Sequence, residues 1–145
     1  MAIPAETLAS MPAELNELFN QACAARGNAY APYSGCLVGA AVQTATGGRY
    51  AGCNVENASY GGTICAERIA IGTAVAAEGA PVITAIMVVT DAETPWPPCG
   101  LCRQVIAEFG PECTVYAANL QGTVVTTPFE TLFPSAFLRE HLGKG

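Results

Sequence analysis

The sequence predicts an α/β fold, a three-layer sandwich with a central mixed five-stranded sheet flanked by helices. Three observations lead there. Apolar residues recur at helical spacing in three stretches, and five shorter strand-like runs lie among them in the order α-β-β-α-β-α-β-β. The chain has 145 residues, 51% of them hydrophobic, which is long enough for one core and short for two. No repeat, low-complexity tract or linker interrupts it, so residues 1–145 read as a single domain.

Each element has its own signal. Ser10 followed by Pro12 marks a helix start, and Leu15, Leu18, Phe19 and Ala22 form one apolar face that ends near Gly27. Residues 36–44 and 49–54 have strand character, with Thr46-Gly47-Gly48 as the turn between them. Residues 64–78 are helical and apolar nearly all round, which predicts burial in the middle of the molecule, and Gly79 and Pro81 stop that helix. Residues 82–90 form a buried strand, 100–109 a further helix, and 113–118 and 123–127 two more strands.

Composition narrows the function classes. Six Lys and Arg against twelve Asp and Glu give a net charge of −6. No basic stripe is present to displace counterions from a nucleic acid, so a small neutral substrate suits this surface better. The first residues carry Glu6, Glu14 and Glu17, with no basic start and no long apolar run, and thus do not resemble a secretion signal. Apolar stretches such as 82–89 are strand-length, so no membrane span is expected. Seven cysteines, an odd number, then point to reduced thiols and a cytoplasmic location.

The chemistry concentrates in Cys65-Ala66-Glu67 and Pro98-Cys99-Gly100-Leu101-Cys102. Three thiols can hold a zinc ion and leave its fourth position open for water. Cys99 and Cys102 are three apart at a helix start and share a face, and Cys65 begins the other helix and completes the set. Two helix N-termini directed at one place favour negative charge there and help to ionise the thiols. Arg68 can offset the excess charge by hydrogen-bonding a ligand sulfur. Glu67, two residues beyond Cys65, does not share its face, so its carboxylate stays beside the metal without joining it, as a general base that becomes a general acid. The sole histidine, His141, lies far along the chain, which argues against a histidine-ligated site. Two other readings stand beside this one. A closed structural site would take a fourth ligand from Cys23, Cys36, Cys53 or Cys113, and a thioredoxin-like reading would make Cys99 and Cys102 a redox pair.

Asn54-Val-Glu56-Asn57-Ala-Ser-Tyr60, Thr63-Ile-Cys65-Ala-Glu67-Arg68 and Pro98-Cys-Gly-Leu-Cys102-Arg-Gln104 together resemble the small homotetrameric zinc-dependent cytidine deaminases, and Tyr30-Ala-Pro-Tyr33-Ser34 with Val38-Gly39-Ala40 belong to the same pattern. The resemblance runs from about Tyr30 to Phe137. It implies a cytidine-deaminase-like fold, zinc ligands Cys65, Cys99 and Cys102, and Glu67 as proton shuttle in the hydrolysis of cytidine and 2′-deoxycytidine to the uridine forms and ammonia. It also implies that Asn54 and Glu56 hold the ribose hydroxyl, that the Ala66 N–H donates to the pyrimidine carbonyl, and that Gln104 supports the ligand sulfurs with Arg68. Phe137 matches an aromatic that covers the base in a neighbouring subunit's pocket, so the implied assembly is a homotetramer serving pyrimidine salvage. One departure is Cys36, where the family usually has a Phe lining the nucleoside pocket. A smaller side chain there predicts tolerance of N4-modified cytidines.

Competing functions follow from the same motifs. A blasticidin-S-type deaminase shares Cys-Ala-Glu and Pro-Cys-x-x-Cys, although the intact 54–57 stretch favours a nucleoside sugar. A nucleic-acid-editing enzyme would need a basic, aromatic groove. From another class, a structural zinc-binding module would mediate protein contacts.

Overall fold

Strand β4, Ile83–Thr90, explains the architecture, because its apolar run serves two cores at once. Ile86 packs with one buried cluster, while Met87 and Val89, pointing the other way, pack with a second. The computed structural model describes residues 5–143. β4 lies near the centre of a six-stranded sheet ordered β1-β6-β5-β4-β2-β3, where β1 is Ala5–Thr7, β2 Gly39–Thr44, β3 Arg49–Cys53, β5 Thr114–Asn119 and β6 Thr123–Pro128. Among the described strands only β4 and β5 pair in parallel, so the sheet is mixed, and the helix α3, Gly100–Phe109, supplies the crossover that a parallel pair requires.

The helices complete three layers. α1, Ala13–Arg26, buries Leu18 and Ala22 on one face of the sheet against Ala41, Met87 and Val89. α2, Ala66–Glu78, and α3 cover the other face, where Ala70, Ile71, Ala74 and Ile106 meet Val42, Ile86 and Val115. A short α4, Phe129–Leu132, follows β6 and closes that side with Phe129. Close approach decides one position. A Cβ on Gly39 would lie 1.9 Å from the Ala22 carbonyl oxygen, so α1 reaches β2 only where a side chain is missing. Among the described residues, no helix is long and apolar enough to cross a membrane.

Several expectations need correction. The sheet has six strands rather than five, because Ala5–Thr7 adds antiparallel to β6 as an edge strand. Three exposed residues carry no periodic signal. The first helix starts at Ala13 after Pro12, and the Ser10 hydroxyl donates to the Thr7 carbonyl instead of capping it. The helix at 64–78 begins at Ala66, and it is not buried all round: Gly72, Thr73, Ala76 and Ala77 are exposed in the single chain. Its end is as expected, with Gly79 at φ +81° donating its N–H to the Val75 carbonyl.

Candidate metal centre and substrate cavity

Cys65 immediately precedes α2 and Cys99 immediately precedes α3, each as the N-cap residue, and Cys102 lies in the first turn of α3. The two helix starts therefore bring all three sulfurs together, within 4.8 Å of one another, with Cys65 and Cys99 Sγ atoms 3.7 Å apart. A tetrahedral zinc with Zn–S bonds of about 2.3 Å places its sulfurs about 3.8 Å apart, so both the donor chemistry and the spacing fit zinc. Among the described residues no fourth cysteine, histidine or carboxylate joins the group. Cys102 is buried, Cys65 half-buried and Cys99 exposed.

Charge is shared unequally in this cluster. The Cys65 thiol is pulled down to about 5, chiefly by a hydrogen bond from Cys102, with Arg68 and Cys99 adding to the effect. Cys102 moves the opposite way, because it is the donor to Cys65, is buried, and faces the Glu67 charge. The pair titrates as a unit, and three thiolates together call for a divalent cation to displace the remaining protons. Arg68 Nη2 stands 3.6 Å from the Cys65 sulfur and 3.4 Å from the Thr63 carbonyl oxygen. Its Nε is buried with no hydrogen-bond partner.

Glu67 is 5% exposed, on the buried side of the first turn of α2. Burial, and then the Cys65 charge, raise its carboxyl to about 7, within the range where one group can take up and return a proton. It lines a cavity of about 200 Å³ together with Cys65, Ala66 and Cys99, which Asn54 and Val38 bound on one side and Thr90, Trp96 and Pro97 on another. Thr63 also lines a second cavity of about 310 Å³, together with Tyr33, Ser34, Glu56 and Tyr60. A larger hollow of about 440 Å³ lies by α4 and the C-terminal segment, without the thiols.

Asn54 and Glu56 stand at these cavities, and both organise the segment opposite. Asn54 Oδ1 accepts the Val38 N–H at 2.9 Å and its Nδ2 donates to the Cys36 carbonyl at 2.8 Å. Each end of the amide keeps capacity for one further bond. Glu56 Oε1 accepts the N–H groups of Tyr33 and Ser34, and Oε2 accepts the Ser34 hydroxyl at 2.6 Å. Those bonds, the hydroxyl first, hold its carboxyl below the usual range.

Two expected residues, Gln104 and Cys36, fall outside the site's lining. Gln104 Nε2 donates to the Phe137 carbonyl at 2.7 Å rather than supporting the sulfurs. Two residues past Cys102, it points to a different side of α3. Cys36 lines neither cavity: after a turn at Gly35 with φ +71° its sulfur folds back towards the Ser34 carbonyl, and Val38 forms the wall instead. A side chain this small does not reach either cavity, so the tolerance of N4-modified cytidines expected from it stands as a proposal. Phe137 is 57% exposed, stacked on His141 with ring centroids 5.6 Å apart and away from its own chain's cavity. Thr90, Pro97 and Trp96 were not among the expected binding residues. The signal for them is positional, since Thr90 ends a buried strand and Trp96 and Pro97 lie between that end and a ligand.

Comparison with known proteins agrees with this geometry. Residues 12–118 match the family model for the cytidine and deoxycytidylate deaminase zinc-binding region. The chain is 48% identical over 126 residues to a cytidine deaminase of Halalkalibacterium halodurans, covering 86% of this chain and 95% of that protein. The crystal structure of a cytidine deaminase from Burkholderia pseudomallei is similar at a TM-score of 0.81 and 48% identity, covering 88% of this chain and 100% of that one. A blasticidin-S deaminase of Bacillus cereus is 34% identical over 109 residues, covering 70% of this chain and 77% of that protein. Three converging thiols, an unligated buried carboxyl and these matches place the chain in the zinc-binding cytidine deaminase family.

Proposed function

We propose that the chain is a single-domain cytidine deaminase, which with one water converts cytidine and 2′-deoxycytidine into uridine and 2′-deoxyuridine, releasing ammonia. The observation that carries this reading is Glu67, a buried carboxyl beside three thiols and outside their metal-ligating group, lining the cavity that Cys65 and Cys99 also line. Zinc held by Cys65, Cys99 and Cys102 would supply Lewis acidity and bring the proton of a water within reach at neutral pH. Glu67 accepts that proton and gives it to N3 of the pyrimidine as the water oxygen adds at C4, then takes the proton left on the added hydroxyl and delivers it to the departing amine as the C4–N bond breaks. The N–H of Ala66, at the first position of α2, donates to the pyrimidine carbonyl oxygen. The spare donor and acceptor capacity of Asn54 and Glu56 serves a ribose hydroxyl. Arg68 offsets the thiolate charge at Cys65.

The exposed Phe137 covers the base of a neighbouring subunit in a homotetramer, and the enzyme works in the cytoplasm on salvaged nucleosides. A second reading, deamination of blasticidin S, is favoured by the Bacillus cereus relative. Ammonia release from cytidine, deoxycytidine and blasticidin S, before and after metal chelation and zinc restoration, tests both. The expected result is zinc-dependent release from the two nucleosides. Release from blasticidin S alone would replace this reading with the second, and no release from any of them would remove both.

A further inference from the structure

Each thiol of the cluster is fixed by a different device. Cys102 is buried inside α3, and Cys65 has the Arg68 guanidinium beside its sulfur. Cys99 has neither advantage. It is exposed, it follows an irregular run after β4, and the two prolines before it have no N–H with which to tie the chain down.

What holds Cys99 is Arg103. Its Nε donates to the Pro98 carbonyl at 2.8 Å, and its backbone N–H donates to the Cys99 carbonyl at 2.9 Å. The peptide planes on both sides of the Cys99 Cα are therefore bound to one residue, which fixes the backbone at φ −69° and ψ 169° and with it the direction of the thiol. The same guanidinium sends Nη1 to the Leu132 carbonyl at 2.6 Å, at the end of α4. The planar fork thus braces the turn before Cys99 against a packed element instead of leaving it on a loop. A lysine, with a single ammonium on a flexible stem, lacks that fork.

We infer that Arg103 is a positioning residue of the metal centre, which sets the grip on zinc by holding the Pro98-Cys99 peptide in its ligating orientation. The inference rests on the ligand set proposed above. Groups that orient metal ligands from behind typically contribute about 10–100-fold in metal affinity. Arg103 acts on the backbone of the one ligand that packing leaves free.

The test compares the full chain with R103M, R103K and C99S. Zinc affinity is measured by competition with a chromophoric chelator, thiolate coordination by the absorption of the cobalt-substituted protein, and stability by thermal unfolding of the metal-free chains. R103M should bind zinc about 10–100-fold more weakly, with reduced thiolate-to-cobalt absorption and an unchanged metal-free unfolding midpoint. R103K should also fall below the parent. Parental zinc affinity in both Arg103 variants overturns the inference, as does a lowered metal-free midpoint with unaltered affinity, which marks a purely structural role. Should R103M fail to fold, R103K decides by the same two readings. C99S separates the two levels: if it binds zinc like the parent, the ligand set itself fails, whereas weakened C99S with parental R103M removes Arg103 alone.

Discussion

Two carboxylates of this chain are shifted in opposite directions, and their surroundings explain both. Glu67 is buried near a thiolate, so its proton is held more tightly, while Glu56 is bathed in donors from Tyr33 and Ser34 and holds its proton less tightly. Because the folded Glu56 titrates below its ordinary value of 4.5, its contribution to the 33–38 segment is present above that pH and is lost as pH falls through the lowered folded value. Acidification below 4.5 should therefore reduce hydrogen-exchange protection at Tyr33 and Ser34 before the rest of the chain unfolds, and Glu56→Gln should remove that pH dependence. Protection in the parent that does not change with pH would contradict this. At this scale the sequence was legible where the chemistry is local. Cys65, Glu67 and Arg68 sit on one turn, so spacing alone set their relation. Gln104 and Cys36 were not, because a helix azimuth and a left-handed glycine turned their side chains away, and neither is visible before the chain is folded.

At the scale of elements, the site exists because two helices begin at the same place. α2 and α3 are anchored by Ala70, Ile71, Ala74 and Ile106 on one face of the sheet, and this shared core brings Cys65 and Cys99 to 3.7 Å. The apolar periodicities that build this core, together with the Gly79 stop, could be read directly. β1 could not, since it owes its strand state to pairing with β6 rather than to any pattern of its own. Nor could α4, a single turn fixed by Phe129 packing under α3. The approach of α1 gives a prediction at this scale. Gly39→Ala drives a Cβ into the Ala22 carbonyl and the Arg26 side chain, and it should lower stability by about 1–3 kcal/mol in denaturant unfolding. Unfolding at the parental midpoint would mean that α1 does not rest on β2 this closely.

For the whole molecule, the surface that remains apolar is as informative as the core. Tyr60, Leu101, Val82 and Phe137 are each more than half exposed, and α2 presents Gly72, Ala76 and Ala77 to the outside. The proposed homotetramer, which rests on the resemblance and not on a surface pattern, predicts that sedimentation equilibrium gives the mass of four 14.9 kDa chains and that Phe137→Ala raises KM for cytidine while leaving zinc content unchanged. A monomer of parental activity would contradict the assembly. The acidic surface, net −6, predicts no measurable retention of single-stranded oligonucleotides, which a gel-shift titration checks.

The proposed activity rests on one carboxyl, Glu67, that would move protons beside a metal it does not bind. Glu67→Gln keeps the shape of that side chain and removes its basicity, so zinc per chain and turnover of cytidine measured on the same preparation separate the two roles. The account predicts parental zinc content with turnover lower by about 10²–10⁴-fold or more. Parental turnover in that variant, or loss of its zinc, would contradict it.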